Sequence, residues 1–274
     1  MGTFGRRLLL AVDAKGYGRV DVVTQRQFQE AISRLLAEAA AAAGLARERW
    51  ETQIGGDSVF AVLPEGASEP DLVDTFMRRL DAGLREFNRN RVREAWLRLR
   101  AAVHFGTARA AANGFEGRAP VEIGRMLDSG PLRSALASAP DACLALAVSS
   151  TVFNDMIGEA YTTIRAGDFR EVPVVEKEYA GRIWIWVPGY DSRALDLGPA
   201  AGEGRVAGDG RAAGDGRAAG GGPAAAEGAR GRDGGESPGA RPPGAPTAPR
   251  DQVVQAFTGT VHAQGAVFGI SNRP

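Results

Sequence analysis

The feature that most limits what this chain can fold into is an abrupt change of composition near Tyr190. Residues 191–250 are dominated by Gly, Ala, Pro and Arg and carry a short imperfect repeat, Gly-Asp-Gly-Arg-Ala-Ala-Gly from Gly208 and Asp-Gly-Arg-Ala-Ala-Gly from Asp215. Such a stretch has no apolar period and cannot offset its conformational entropy by burial. It reads as a disordered linker, with a root-mean-square span of roughly 45 Å for a Gly-rich coil of this length. The foldable unit is therefore residues 1–190, a length at which about 70% of the unfolded surface can be buried.

Within that unit, strand-like and helix-like blocks alternate. Residues 7–12 form an apolar run suited to a buried strand. Thr24 and Gln27 have capping-box spacing, and Phe28, Ile32, Leu35, Leu36 and Ala39 supply the inner face of the helix they open. Residues 50–63 read as a hairpin around Gly55-Gly56-Asp57, and Leu72, Phe76, Leu80, Leu84 and Phe87 mark a second helix over 71–88. Leu97, Leu99, Ala101, Val103 and Phe105 alternate as in a strand, with a turn at Asn113-Gly114. A helix over 121–139 and strands near 144–148, 172–176 and 183–187 complete the unit. The fold class expected is α+β, a ferredoxin-like βαββαβ core with appended elements.

Charge excludes some functions. Lys plus Arg and Asp plus Glu both number 33, so no bulk attraction to nucleic acid or acidic lipid is expected. No apolar run approaches the ~20 residues that span a bilayer, and Asp13 ends the run after Arg6-Arg7 too early for a signal peptide. The single Cys143 lies in an apolar run, where it reads as a small core residue; a cytoplasmic setting follows.

Two glycine-containing segments carry the chemistry. Ala11-Val12-Asp13-Ala14-Lys15-Gly16-Tyr17-Gly18 ends a strand on a carboxylate, which can ligate a hard divalent cation, and passes into a tight turn whose backbone N–H groups can hold an anion. Gly55-Gly56-Asp57-Ser58-Val59 places a second carboxylate on the hairpin. With the strand Val103-His104-Phe105-Gly106 and the helix Val121-Glu-Ile-Gly-Arg125-Met-Leu127, these segments resemble the class III nucleotide cyclases over nearly all of the first unit. The resemblance implies that Asp13 and Asp57 hold two Mg or Mn ions and that residues Ala14, Lys15, Gly16, Tyr17 and Gly18 cradle a nucleoside triphosphate. It implies that Gln53 stands at the base-reading position and that Arg125 stabilises the transition state from the other subunit of a homodimer. A diguanylate cyclase would continue Gly-Gly-Asp with an acidic residue and phenylalanine, whereas Ser58-Val59 follow here.

The pattern departs from the family where it would act on substrate. Gln53 stands where adenylate cyclases carry lysine, and Val121 stands where a ribose-orienting asparagine is expected, with Arg118 three residues earlier. Losing one such positioning contact costs on the order of 10²-fold in rate. Two functions follow: a degenerate cyclase that binds nucleotide and metal, or a catalytically inactive cyclase-like sensor or interaction module. Arg125 is equally readable as a salt-bridging helix residue. His104 alternates with core residues and reads as structural, and Trp184 and Trp186 as packing.

Residues 251–274 regain Val253, Val254, Phe257, Val261, Val267, Phe268 and Ile270 with almost no charge. The segment resembles bacterial amyloid signalling motifs, which implies an amyloid-type partner through residues 251–270 in a signalling or defence assembly. High β-propensity and small residues between large ones suit stacking of identical segments. The alternative is a strand that pairs back on the folded unit, or a disordered end.

Overall fold

The computed structural model describes residues 5–112, 114–177 and 179–198. The linker beyond 198 and the 251–274 tail lie outside the described residues, as does Asn113 of the expected turn.

The apolar run at the N-terminus forms β1 (Arg6–Ala14), followed by α1 (Val22–Ala42), then β2 (Glu51–Ile54) and β3 (Ser58–Val62). A short helix α2 (Glu69–Asp71) continues through a π-type turn, Leu72–Phe76, into α3 (Met77–Asn88), and β4 (Leu99–Thr107) closes the βαββαβ unit. Appended to it are the hairpin β5 (Arg109–Ala111) and β6 (Gly114–Glu116), helices α4 (Arg118–Leu127) and α5 (Gly130–Ser138), strand β7 (Leu144–Ser149), helix α6 (Ser150–Val152), and β8 (Arg170–Glu176) with β9 (Tyr179–Trp186).

Among the described residues seven strands form one sheet in the order β2-β3-β1-β4-β7-β9-β8. Its pairs are antiparallel except β4 with β7. Burial on both faces explains why β1 reads as a continuous apolar run rather than an alternating one. Leu8, Leu10 and Val12 face α1 and α3 through Phe28, Leu35, Leu80 and Leu84. Leu9 and Ala11 face the opposite layer, which holds Ile123 and Met126 of α4 and Leu132 and Leu136 of α5. Asp13 continues that second face.

Three local expectations need correction. Asp21, not Thr24, caps α1: its carboxylate accepts from the Thr24 N–H at 2.9 Å, while the Thr24 hydroxyl donates back to it at 3.0 Å. The helix expected over 121–139 is two helices. Pro131 has no N–H and its ring would strike the carbonyl four residues back, so α4 ends first and Ser129 closes the corner with a hydroxyl bond to the Met126 carbonyl at 2.8 Å. The packed chain also runs past Tyr190, because Leu195 and Leu197 are buried in the second layer.

The tryptophans pack as expected: Trp184 stacks on Phe153 at 4.6 Å, and Trp186 lies 6.3 Å from Phe169. Cys143 is buried and accepts from the Asn88 amide. No helix among the described residues is long and apolar enough to cross a membrane.

Candidate functional site

The two aspartates meet through the sheet. Register sets Asp13 opposite Ser58 on β3, and the Ala14 N–H donates to the Asp57 carbonyl at 3.0 Å, so the end of β1 lies against the Gly-Asp hairpin. On its other side Asp13 stands directly opposite Arg100 of β4. Opposed residues of antiparallel strands share a face with Cβ atoms about 5 Å apart, which suits the reach of a guanidinium. Arg100 grips the carboxylate with both arms: Nε donates to Oδ1 at 2.9 Å and Nη2 to Oδ2. Both side chains are largely buried, 13% and 15% exposed.

Burial pushes the Asp13 carboxyl up to about 6, against the pull of Arg100, with Asp128 and Asp57 adding to the rise. The desolvation of the charged form therefore outweighs the ion pair. At neutral pH the group is still mostly ionised, so the pair is one of charges. Within the chain it is Arg100, rather than Arg125, that answers Asp13. Arg125 is half-buried on α4, whose inner face of Ala119, Ile123 and Met126 packs on the sheet.

The 14–18 loop turns on Gly16, whose φ of 80° is one that a side chain disfavours. Two of its N–H groups are already engaged: that of Ala14 with Asp57, and that of Lys15 with the Arg98 carbonyl at 2.9 Å. What is left for an anion is residues 16–18 and the exposed Lys15 side chain. Partial desolvation against the loop and the positive charges of Arg98, Arg100 and Arg19 lower the Lys15 pKa. Tyr17 leans across to the hairpin, where its hydroxyl accepts from the Gln29 amide close to Gly56. Between α1 and the hairpin lies a cavity of about 70 Å³ bounded by Gln29, Arg47 and Asp57. That volume suits a water or two rather than a nucleotide. A nucleotide would have to lie outside it, at the end of β1 beside the 14–18 loop.

Gln53 is opposite Phe60 on the hairpin, and its side chain lies beneath Gly114 of β6. Phe60 and Phe115 contact each other at 5.1 Å beside it, so the β5–β6 hairpin covers this part of the face. Gln53 is nonetheless exposed, as is Val121 on α4 at 54%. His104 reaches Glu122 of α4 at 3.1 Å, and Glu122 also accepts from Arg118 at 2.6 Å. This is a strand-to-helix contact, in keeping with a structural histidine.

Two divalent ions are what the resemblance implies, and the donors around Asp13 do not fit them as arranged. Both carboxylate oxygens accept from Arg100, and among the described residues no group of three or more His, Cys, Asp or Glu side chains could hold a metal. Sequence reasoning missed Arg100. The available signal was an arginine flanked by Leu99 and Ala101 in an interior strand, a place where a cation requires a buried partner.

No family model matches the chain, and no curated protein matches it. Solved structures do. The "Adenylate/Guanylate Cyclase/Hydrolase from Silicibacter pomeroyi" matches with a TM-score of 0.50 at 17% identity, over 69% of this chain and 100% of its own. The domain has the fold of a nucleotide cyclase. The "guanylyl cyclase Cya2" matches at 13% identity and a TM-score of 0.46, over 68% of this chain and 92% of its own. The guanylate cyclase domain of RhGC from Catenaria anguillulae, solved in complex with GTP, matches at 13% and 0.44, over 66% and 96%. The cyclase fold thus accounts for the described part of the chain, and its α+β class with a βαββαβ core agrees with the expectation drawn from the sequence.

Proposed function

We propose that the protein is a homodimeric, catalytically inactive cyclase-like module that binds a nucleoside triphosphate at the end of β1 beside Asp13 and the 14–18 loop, and signals by assembly through residues 251–270. The observation that carries this reading is the two-armed ion pair between Arg100 and Asp13. Cyclisation needs the ribose 3′-hydroxyl to attack the α-phosphorus while cations absorb the developing charge. Here the leading carboxylate is already neutralised. The exposed Val121 offers no hydrogen bond to orient a ribose, and Gln53, though exposed, lies against Gly114 of the β5–β6 hairpin, where an incoming base would have to move it. A small cavity between α1 and the Gly-Asp hairpin also suits a site that a second copy completes.

A working cyclase is the second reading. It is favoured by the contact of Asp13 with the Asp57 hairpin, and by a carboxyl that remains raised to about 6 in spite of Arg100. In that reading Arg125 comes from the other subunit.

The deciding experiment incubates the full chain with each of the four nucleoside triphosphates and Mn²⁺, follows binding by calorimetry, and looks for cyclic product by mass spectrometry. Binding without product supports the module. A cyclic product lost in both Asp13→Asn and Arg125→Ala establishes the cyclase instead. For the tail, a peptide of residues 251–274 is expected to give the ~4.8 Å cross-β reflection, and its absence would remove assembly as the output.

A further inference from the structure

We propose that the guanidinium of Arg100 is the resident cation of this site, standing at Asp13 in place of a divalent metal. The inference deepens the reading of this face as a triphosphate site and rests on it only for the identity of the ligand.

The argument starts from strand register. Asp13 and Arg100 are directly paired across β1 and β4, so the backbone itself brings them together. The planar fork of arginine matches a carboxylate in a way that a lysine would not. Both ends are largely buried, so a metal at Asp13 would either exchange with the guanidinium, leaving it to find other acceptors inside the fold, or share the same oxygens beside a like charge. Nearby positive groups make that exchange harder: Lys15 lies within the influence of Arg98, Arg100 and Arg19.

The charge count points the same way. Asp13 and Asp57 alone would present two negative charges to a cation, but Arg100 cancels one and the Lys15 ammonium sits beside the same strand end. The remaining acidic neighbour, Asp128, is matched by Arg133 at 2.8 Å. What is left is close to neutral, and it turns positive toward the loop. Such a site attracts the phosphates of a nucleotide directly, without a metal as intermediary.

The test uses the full chain and Mn²⁺ as the probe, with free Mn²⁺ read from its paramagnetic resonance signal. Wild type and Asp13→Asn are expected to leave the same amount of Mn²⁺ free. Arg100→Gln, verified as folded by circular dichroism, is expected to bind Mn²⁺ at least about tenfold more tightly than wild type, and the Asp13→Asn, Arg100→Gln double variant to lose that gain. Wild type binding Mn²⁺ in a way that Asp13→Asn abolishes would overturn the proposal, and this comparison holds even if Arg100→Gln does not fold. A folded Arg100→Gln that gains no Mn²⁺ would also overturn it. In parallel, ATP and GTP are titrated in EDTA and in Mg²⁺: equal affinity supports the resident cation, and a strict divalent requirement opposes it. Absence of nucleotide binding in both buffers would sink the nucleotide reading, while the Mn²⁺ comparison still decides the role of Arg100.

Discussion

Asn88 is bound to both backbone groups of Leu97. Its side-chain amide donates to the Leu97 carbonyl at 2.8 Å and its carbonyl oxygen accepts from the Leu97 N–H at 2.8 Å, so the end of α3 is fixed to the residue that leads into β4. All of this is buried, as is the Cys143 sulfur that takes the second amide bond. Asn88→Ala strands two backbone groups with no water to satisfy them, at about 1–3 kcal/mol each. Chemical denaturation should show a loss of roughly 2–4 kcal/mol with an unchanged slope on denaturant. Asn88→Asp keeps the acceptor and loses the donor, and should fall short of wild type for that reason.

The raised Asp13 carboxyl makes stability depend on pH in a direction opposite to that of an ordinary salt-bridged aspartate. A group whose proton is held more tightly in the folded state than in the unfolded one favours folding while protonated. Its contribution is fully present below the unfolded value of 3.8 and is lost as pH rises toward about 6. The size is about 3 kcal/mol for a shift of roughly two units. His104, lowered by burial against the pull of Glu122, acts in the other sense, because the unfolded chain takes up a proton first as pH falls below 6.5. Thermal unfolding of wild type and Asp13→Asn between pH 4 and 7 separates them. The difference in melting temperature between the two proteins should change with pH mainly between about 4 and 6, in favour of Asp13→Asn as pH rises.

How far the sequence spoke depended on the physical signal each element carries. The helical faces of α1 and α3 and the run of β1 were readable because burial repeats with the period of the element. Asp21 was overlooked at the start of α1 since two side chains three residues apart, Asp21 and Thr24, both have capping chemistry, and only geometry shows which one accepts. The corner at Ser129 was foreshadowed by Pro131, yet apolar periodicity ran on through it. Asp13, Asp57 and the loop were legible as local motifs. Arg100 was not, because its meaning depends on the strand pairing β1–β4, which joins positions 87 residues apart.

Gly114 and Gln53 are coupled across the covered part of the sheet face. Gly114 has φ of 119°, and a Cβ placed on it would come 2.5 Å from the Gln53 Oε1. Gly114→Ala therefore meets both backbone strain and a side-chain clash, and should cost about 1 kcal/mol or more. Gln53→Ala removes the clash and leaves the strain. In a double-mutant cycle the two changes should be less harmful together than their sum by at least about 0.5 kcal/mol, and strict additivity would show that Gln53 is not what the glycine accommodates.

Arg98, just ahead of β4, and Arg100, within it, do different work. Arg98 donates to three carbonyls, those of Ala142 at 2.7 Å, Leu136 at 2.5 Å and Ala139 at 2.6 Å, all at the end of α5 and in the turn beyond it. Helix ends leave carbonyls without partners, and a cation there also meets the negative end of the helix dipole. Bonds from a charged donor contribute about 1.5–3 kcal/mol each when buried, though three from one group do not add. Arg98→Ala should therefore lower unfolding stability by roughly 2–4 kcal/mol. Arg98→Lys should recover less than half of that loss, because one ammonium cannot span acceptors laid out for a planar fork. Nucleotide affinity should fall only as far as folding does, whereas Arg100→Gln should change nucleotide or Mn²⁺ affinity at full folding. Equal effects of the two variants on ligand binding would mean that both arginines serve the site.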